Sequence, residues 1–392
     1  MNILFITHDV GLYGASRSLG LSIKSLLENT DITKDNIHLV YNVFNFRMLR
    51  NIFSGKKDKR FILNNYLRGL RNIYTGIFPF SLSYKGRPET RIHDIGSIAL
   101  LLLFPFYWFF RGKTIIKNHN ISHVHLNSLV LWPLLILVPR KIKKIIHIRE
   151  IHDNTIFRIF SRIKIKTIKK YADTIIAIDS STANSFIDSP KLKIIRNPFD
   201  MSIVSKRRAE KQKILREYKI PTGRNNVTLI GSLSENKGQD FFLDIANSFS
   251  DTKMFNFLIV GKVDIKSSKI IEKKVSKIRN AFYLGEVEEI GDIYAISETI
   301  MRCEEYYKTG RTVWEALYAG CSNIMIPVKN STKIKECVPE DEFRERFTYY
   351  TARDLNDVMN KLLNTRHRKI PSSDVNNNLK EFSSKFYNAI KI

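Results

Sequence analysis

The sequence predicts an α/β protein made of two Rossmann-like domains that face a central cleft. Three observations support this prediction: a length of 392 residues, short apolar segments that alternate with helical patterns, and a restart of that alternation after a polar stretch. A chain of this length exceeds one ordinary core and suits two domains. Continuously apolar strands separated by helices are typical of parallel sheets covered by helices on both faces. Ligand sites in such sheets open at the carboxyl ends of the strands.

The first domain is predicted over residues 1–200, with a helix over Ser16–Glu28. Its strand candidates are short and apolar, as strands buried on both faces should be. They are Asn2–Thr7, Ile37–Val43, His123–Leu126, Lys144–Ile148, Thr174–Ile178 and Lys193–Ile195.

Residues 201–224 are polar and basic, and this shift in composition predicts a linker or a domain-entry helix. The second domain is predicted over residues 225–375. A closing helix over residues 376–392 follows it. The elements predicted in the second domain are strands Asn226–Ile230, Asn256–Val260, Ala281–Leu284, Thr299–Arg302 and Asn323–Ile326, and helices Gly238–Phe249, Asp292–Ile296 and Thr312–Ala319.

The three cysteines are scattered and form no Cys-x-x-Cys pair. This odd number argues against a disulfide framework or a zinc ribbon and indicates a reducing compartment. The chain begins directly with the apolar segment Ile3–Thr7, which predicts a first strand and no signal peptide. We therefore expect a cytoplasmic location.

The formal charge of +26 favours a polyanionic partner. Eight Lys or Arg residues lie between Phe44 and Tyr74 against the single Asp58, and six more lie between Arg158 and Lys170 without an acid. Aromatic residues interleave with the first group, which favours an anionic membrane surface over a plain solvated coat. Nucleic acid is not expected as a partner, because no recognition motif accompanies the charge.

The longest apolar run, Ile95–Phe110, has 16 residues and contains Pro105. A membrane-spanning helix needs about 20 residues, and a proline in mid-helix breaks the hydrogen-bond ladder. The run is therefore either a core helix or a monotopic element at the membrane interface.

Three glycine-containing loops each connect a strand to a helix. The first, Gly11–Arg17, is either a tight turn or a phosphate loop, since backbone N–H groups at a helix start bind anions. The second, Gly231–Gly238, places Lys237 just before a helix, which suits a diphosphate or is an ordinary turn.

The third loop leads into the helix that ends before Gly320. Thr312 and Glu315 have the Thr-x-x-Glu spacing of a capping box, in which the glutamate bonds to a backbone N–H. The alternative is that Gly310 and the helix start face an anion, while Glu315 accepts hydrogen bonds from sugar hydroxyls.

Taken in order, these segments resemble glycosyltransferase family 4, the retaining enzymes with the GT-B architecture. The resemblance extends over most of the chain and is most specific at the last of these segments. The segments that carry it are Tyr13–Leu19, His123–Ser128, Ile145–Glu150, Tyr171–Ile178, Arg196–Asp200, Gly231–Gly238 and Gly310–Gly320.

The resemblance implies a role for each matching residue. Lys237, helped by backbone amides, would neutralise the leaving diphosphate, and Glu315 would bind ribose hydroxyls. Arg149 and Glu150 occupy the place where many family members carry a His-Asp or His-Glu pair near the reacting sugar, and they are the further catalytic candidates. The residues implied in donor binding are Gly14, Gly231, Ser232, Lys237, Gly310, Arg311, Thr312 and Glu315.

Tyr13 stands in place of the first glycine of the family's N-terminal Gly-Gly-Ala loop, and two positions of the second domain also depart from the family pattern. Ser232 stands where an arginine is usual, and Tyr307 stands eight residues before Glu315, where a second glutamate is usual. Arg311 is a candidate to replace the missing cation. The departures leave open a catalytically lapsed member acting as a binding or scaffold subunit, and a nucleotide-sugar epimerase of the same fold is a further alternative.

The expected function is retaining sugar transfer from a nucleotide-sugar donor in surface-polysaccharide biosynthesis. No cofactor and no obligatory metal are expected, because the sequence contains no Asp-x-Asp and no His- or Cys-rich metal spacing. The basic surface suits a lipid-linked or saccharide acceptor, with the protein peripheral at the inner face of the cytoplasmic membrane.

Overall fold

The structure, a computed structural model, describes residues 1–8, 14–42, 67–76, 103–149, 158–231, 238–261, 265–287, 289–304, 310–329, 345–364 and 372–391. The chain divides into two compact units. One comprises Met1–Pro198 together with Leu379–Ile392, and the other comprises Phe199–Asn378.

The first unit is built on a seven-stranded parallel sheet in the order β3-β2-β1-β4-β5-β6-β7. Its strands β1 and β2 are buried at every residue, as is typical of parallel strands with helices on both faces. The strands are β1 Ile3–Thr7, β2 Ile37–Asn42, β3 Ile73–Gly76, β4 His123–Leu126, β5 Lys143–Ile148, β6 Thr174–Ala177 and β7 Leu192–Ile194.

The helices of the first unit follow the strands in alternation. They are α1 Gly14–Asn29, α2 Lys113–Asn118, α3 Leu134–Leu137, α4 Arg158–Tyr171 and α5 Ser180–Ala183, with 3₁₀ turns at Lys34–Asn36, Leu129–Leu131 and Asn184–Phe186. Residues 103–107 are helical, and the π-helix Trp108–Gly112 joins them to α2. Pro105 therefore does not end the helix, which continues to Asn118.

The second unit is built on a six-stranded parallel sheet in the order β10-β9-β8-β11-β12-β13. Its strands are β8 Asn225–Ile230, β9 Phe255–Val260, β10 Ala281–Gly285, β11 Thr299–Met301, β12 Asn323–Val328 and β13 Thr348–Thr351. The helices are α6 Ser202–Ala209, α7 Lys211–Glu217, α8 Gln239–Ser248, α9 Ile265–Val275, α10 Ile290–Ile296, α11 Arg311–Ala319 and α12 Leu355–Asn364.

The last helix, α13 (Ser372–Lys391), begins before the expected residue 376. From residue 379 onward it belongs to the first unit. Phe382 and Phe386 are buried there with Leu19 in the core around β1. The Oγ of Ser383 donates to the backbone oxygen of Ser25 over 2.9 Å, which holds α13 against α1.

Residues 201–224, expected as a linker or domain-entry helix, lie in the second unit as α6 and α7. Val204, Ile214 and Leu215 are buried in the core of that unit. Arg207 forms an ion pair with Asp292 of α10. The polar composition of the segment reflects its solvent-facing side, while its apolar side packs inward.

The predicted α/β fold class is confirmed, and the eleven predicted strands are present within two residues at each end. Two strands were not predicted, β3 and β13. Both lie at the edge of their sheets, where only one neighbour is available and a continuous apolar run is not required. Among the described residues, no helix combines the length and apolar content needed to cross a membrane.

Candidate functional site

The predicted diphosphate turn of the second unit is described at its two ends, Gly231 and Gly238, while Ser232 and Lys237 lie outside the described residues. Gly238 is the N-cap of α8 and has a φ of 70°, a left-handed conformation that favours glycine. A Cβ atom at Gly238 would lie 2.0 Å from the backbone oxygen of Cys303. The turn therefore brings the start of α8 into backbone contact with the end of β11.

The helix α11 begins at Arg311, with Gly310 as its N-cap and without a side-chain hydrogen bond at the cap. Thr312 is thus the second helical residue, and it does not form the capping box that its spacing with Glu315 allowed. A Cβ atom at Gly310 would lie 1.9 Å from Nη1 of Arg302. The guanidinium group of Arg302 therefore lies directly against the start of α11.

The N-caps of α8 and α11 consequently lie against two adjacent residues, Cys303 and Arg302 respectively, just after the carboxyl end of β11. The first amides of a helix have no partner within the helix and carry partial positive charge. Two helix starts at the end of one strand, one of them against a guanidinium group, form an arrangement that attracts an anion. Arg302 also forms an ion pair with Glu304, and both side chains are largely buried.

Two polar side-chain atoms at these helix starts lack a hydrogen-bond partner among the described residues. They are Oε1 of Gln239, in the first turn of α8, and Oγ1 of Thr312, in the first turn of α11, and both are shielded from solvent. Shielded polar atoms are nearly always hydrogen-bonded in folded proteins. Their lack of partners at these positions is consistent with a polar ligand that completes the site.

Glu315 is buried, with 1% of its surface exposed, and its two carboxylate oxygens have separate partners. Nε of Arg311 donates to Oε1 over 2.7 Å, and the hydroxyl of Tyr294 donates to Oε2 over 2.8 Å. The guanidinium group of Arg311 lies 4.9 Å from the ring centre of Phe199. Glu315 therefore fixes the first residue of α11, and its role with ribose hydroxyls stays a prediction.

In the first unit, Arg149 follows β5 and is held by two asparagines. Its Nε donates to Oδ1 of Asn127 over 2.7 Å, and its Nη1 donates to Oδ1 of Asn197. Asn127 also lies 3.4 Å from Oγ1 of Thr7 at the end of β1. The guanidinium group is thus fixed at the carboxyl edge of the sheet. Glu150 lies outside the described residues.

Two neutral imidazoles lie beneath Arg149. His125 and His147 are fully buried, with Nε2 of His125 lying 3.3 Å from Nδ1 of His147. Burial lowers the pKa of His125 to about 3, and burial together with the Arg149 charge lowers the pKa of His147 well below its usual value. Phe386 of α13 packs against both imidazoles, with its ring centre 5.4 Å from that of His125 and 6.0 Å from that of His147.

Gly14 is the exposed first residue of α1, and the preceding residues 9–13 lie outside the described part. Nδ2 of Asn127 donates to the backbone oxygen of Ala15 over 3.4 Å, so the start of α1 lies beside the asparagine that holds Arg149. The structure thus brings the start of α1 and Arg149 together at the carboxyl edge of the first sheet, while their roles in donor binding and catalysis stay predictions.

Several residues of these clusters were not singled out from the sequence. Arg302 carries a usable signal, because a basic residue directly after a buried strand marks the ligand edge of a parallel sheet. The contacts of Tyr294 with Glu315 and of Phe199 with Arg311 could not be predicted from the sequence, because they join segments that only the folded chain brings together. In the described part of the chain, no three His, Cys, Asp or Glu side chains are grouped as metal ligands.

Residues 224–365 match the family model described as "Glycosyl transferases group 1". The matched range contains both helix starts that converge on β11. No curated protein is matched by the sequence of the chain.

Several solved structures share the fold over the full chain. HepE from Anabaena, solved with UDP and glucose, is 13% identical at a TM-score of 0.66, covering 100% of this chain and 99% of HepE. The lipopolysaccharide outer core galactosyltransferase WaaB is 13% identical at a TM-score of 0.62, with coverage of 100% and 99%. A trehalose-6-phosphate protein from E. coli, bound with UDP-2-fluoro glucose, is 9% identical at 0.63, with coverage of 100% and 99%.

Proposed function

We propose that the chain is a glycosyltransferase of the GT-B type, a retaining, metal-independent enzyme that uses a nucleotide-sugar donor. Two proteins of similar fold have been solved with such donors or their products. HepE was solved with UDP-glucose and the E. coli protein with UDP-2-fluoro glucose. A uridine-diphosphate sugar is therefore the first donor to test.

The observation that carries the proposal is the convergence of two helix starts on Arg302 and Cys303, with unpartnered polar atoms at Gln239 and Thr312. Breaking the bond between the anomeric carbon and the diphosphate leaves negative charge on the diphosphate oxygen. Preorganised amides and cations stabilise such developing charge best, because they need no reorientation during the reaction. This arrangement supports departure of a diphosphate without an obligatory metal ion.

We assign the leaving-group charge to Lys237 and the backbone amides at Gly310–Thr312, with Glu315 binding the ribose hydroxyls. Gly14, Gly231 and Ser232 complete the donor contacts. The acceptor hydroxyl attacks the anomeric carbon on the same face from which the diphosphate departs, and its proton passes to the departing diphosphate oxygen. Because attack and departure share one face, the configuration at the anomeric carbon is retained. Arg149 and Glu150 are assigned to the reacting sugar, and the fixed guanidinium group of Arg149 supports a positioning part in this step.

The acceptor in this proposal is lipid-linked or saccharide, and the pathway is the assembly of a surface polysaccharide at the inner face of the cytoplasmic membrane. The net charge of +26 supports an anionic surface as a partner. One protein of the same fold, WaaB, is a lipopolysaccharide outer core galactosyltransferase.

The test is a screen of UDP-, GDP- and ADP-sugars for binding and turnover, followed by Lys237→Ala with the best donor. We expect turnover to fall by roughly 10²–10³, the loss that follows removal of one charge-stabilising donor. Lys253→Ala is the matched control, because Lys253 is exposed before β9, at the opposite edge of the same sheet. Near-normal turnover in Lys237→Ala would contradict the assignment.

The same screen separates the two alternatives. Donor binding without any turnover, in the presence of lipid-linked and saccharide acceptors, would support a lapsed member that acts as a binding or scaffold subunit. Isomerisation of the donor sugar in the absence of acceptor would support an epimerase.

A further inference from the structure

The first unit exposes a group of large apolar side chains on neighbouring elements, which we name the aromatic patch. It consists of Leu103, Phe106, Phe109 and Phe110 on the helix that leads into α2, and Ile136 on α3. Each of these side chains is more than half exposed, from 52% at Ile136 to 70% at Phe110. Contiguous apolar surface of this kind on a folded protein marks an interaction site.

The patch is not a consequence of loose packing, because the same helix is anchored by its inner face. Phe104 and Trp108 are buried, and Gly112 leaves room for the Trp108 ring, since a Cβ there would lie 2.3 Å from it. Nε1 of Trp108 donates to the backbone oxygen of Leu137 over 3.4 Å, and the Tyr107 hydroxyl donates to that of Thr75 over 2.6 Å. The helix is therefore held firmly beside α3 with its aromatic side outward.

The segment of the chain that carries the patch is basic and contains no acid. No Asp or Glu occurs from residue 95 to residue 149, and residues 103–149 contain eight Lys or Arg. Arg111 and Lys113 are exposed within the same helical stretch, and the Lys113 ammonium lies 4.0 Å from the centre of the Phe109 ring. The helix α4, which packs against α3, adds six basic residues and no acid.

We propose that the aromatic patch docks the protein on an anionic phospholipid leaflet, with the aromatic rings at the level of the acyl chains and the basic residues at the phosphates. The aromatic patch is the surface that would hold the protein at the membrane, so this proposal rests on the membrane location given in the proposed function. Exposed aromatic rings beside lysine and arginine are the composition of interfacial membrane elements. Juxtaposed basic residues bind anionic headgroups through long-range attraction.

Charge decides between a membrane and a second copy of the chain as the occupant. A symmetric dimer through this patch would bring the same predominantly basic surface against itself, and like charges would repel across the interface. An anionic leaflet supplies the opposite charge together with an apolar phase. The membrane is therefore the occupant that both properties of the surface fit.

The experiment is sedimentation of the full chain with vesicles of phosphatidylglycerol and phosphatidylcholine in equal parts, compared with pure phosphatidylcholine vesicles. The patch variant combines Phe106→Ser, Phe109→Ser and Phe110→Ser. The control variant combines Met254→Ser, Ile270→Ser and Leu363→Ser, three exposed apolar residues of the second unit. We expect the wild type and the control to sediment with anionic vesicles only, and the patch variant to lose binding at least tenfold.

Far-UV circular dichroism and donor binding in solution are measured on the same samples, and both should be unchanged in the patch variant because its side chains are exposed. This readout separates failure of the docking surface from failure of the proposed function. Equal vesicle binding by the patch variant and the wild type would overturn the inference. So would an absence of wild-type binding to anionic vesicles, or a dimer that dissociates only in the patch variant.

Discussion

Arg311 and Glu315 lie one turn apart on α11, and Nε of Arg311 donates a 2.7 Å hydrogen bond to Oε1 of Glu315 inside the second unit. The two side chains are 13% and 2% exposed, so the ion pair is largely withdrawn from water. Tyr294 binds the second carboxylate oxygen. Because both oxygens of the buried Glu315 carboxylate are hydrogen-bonded, they orient the first turn of α11. The sequence predicts that this helix start binds the donor.

Breaking this pair on one side should destabilise the protein more than removing both charges. We expect Glu315→Gln to lower the free energy of unfolding by roughly 3–5 kcal/mol, because it leaves the Arg311 guanidinium buried without its counter-charge. The double variant Glu315→Gln with Arg311→Met should recover part of that loss. Urea denaturation of the single and double variants measures the coupling. Strictly additive effects would show that the pair is not coupled in solution.

The two glycines at the ends of the predicted diphosphate turn should respond differently to a methyl group. Gly238→Ala places a Cβ against the backbone oxygen of Cys303 at a positive φ, so we expect a loss of roughly 1–3 kcal/mol in the free energy of unfolding. Gly231→Ala meets no described atom within 4 Å. It should retain stability and weaken donor binding, since the methyl group occupies space beside the proposed diphosphate.

Thermal denaturation and donor titration on both variants check this contrast. Equal destabilisation by the two substitutions would mean that Gly231 is required for packing, and its assignment to donor binding would lose its support.

These two glycines also show what the sequence could predict. A glycine turn between an apolar strand and a helix is a local pattern, so Gly231, Gly238 and the elements around them were predicted with small errors at their ends. Gly261 was not singled out, although a Cβ there would lie 1.6 Å from the backbone oxygen of Gly231. That contact joins the ends of β8 and β9, which are far apart in sequence, and no local pattern encodes it.

The edge strands and the site partners were missed for related reasons. The edge strand β13 contains the sequence Thr-Tyr-Tyr-Thr, which lacks the apolar run that identifies a buried strand. Tyr294 reaches Glu315 from α10, and Asn197 reaches Arg149 across the first sheet. Such contacts depend on the order of strands, which composition and spacing do not determine.

The buried imidazole pair should make stability depend on pH. The folded pKa of His125 is about 3, whereas its usual value is 6.5, so the unfolded chain binds the proton more tightly. The stability that the neutral ring contributes is complete above pH 6.5 and is lost as the pH falls toward 3. Each such histidine should lower the free energy of unfolding by about 1.4 kcal/mol per pH unit in this window.

Urea denaturation at pH 7.5 and pH 5.5 measures the effect, and His125→Phe is the comparison variant because Phe5 and Phe386 already pack against the ring. The variant should lose less stability between the two pH values than the wild type. An unchanged difference would show that His125 does not titrate with unfolding.

Arg302 is the cation that the structure adds to the site, and its charge can be tested apart from its ion pair with Glu304. Arg302→Gln removes the charge beside the start of α11 but also leaves the Glu304 carboxylate without its counter-charge. The double variant Arg302→Gln with Glu304→Gln removes both charges, and the change at Glu304 keeps the side-chain volume. If Arg302 stabilises the leaving diphosphate, turnover should fall by roughly 10²–10³ in both variants, the range for one lost charge-stabilising group. If Arg302 serves only to neutralise Glu304, the double variant should regain the turnover of the wild type. Steady-state turnover with the donor found in the screen distinguishes these two results. The free energy of unfolding of each variant is the control, because the stability lost in the single variant should return in the double variant under either explanation.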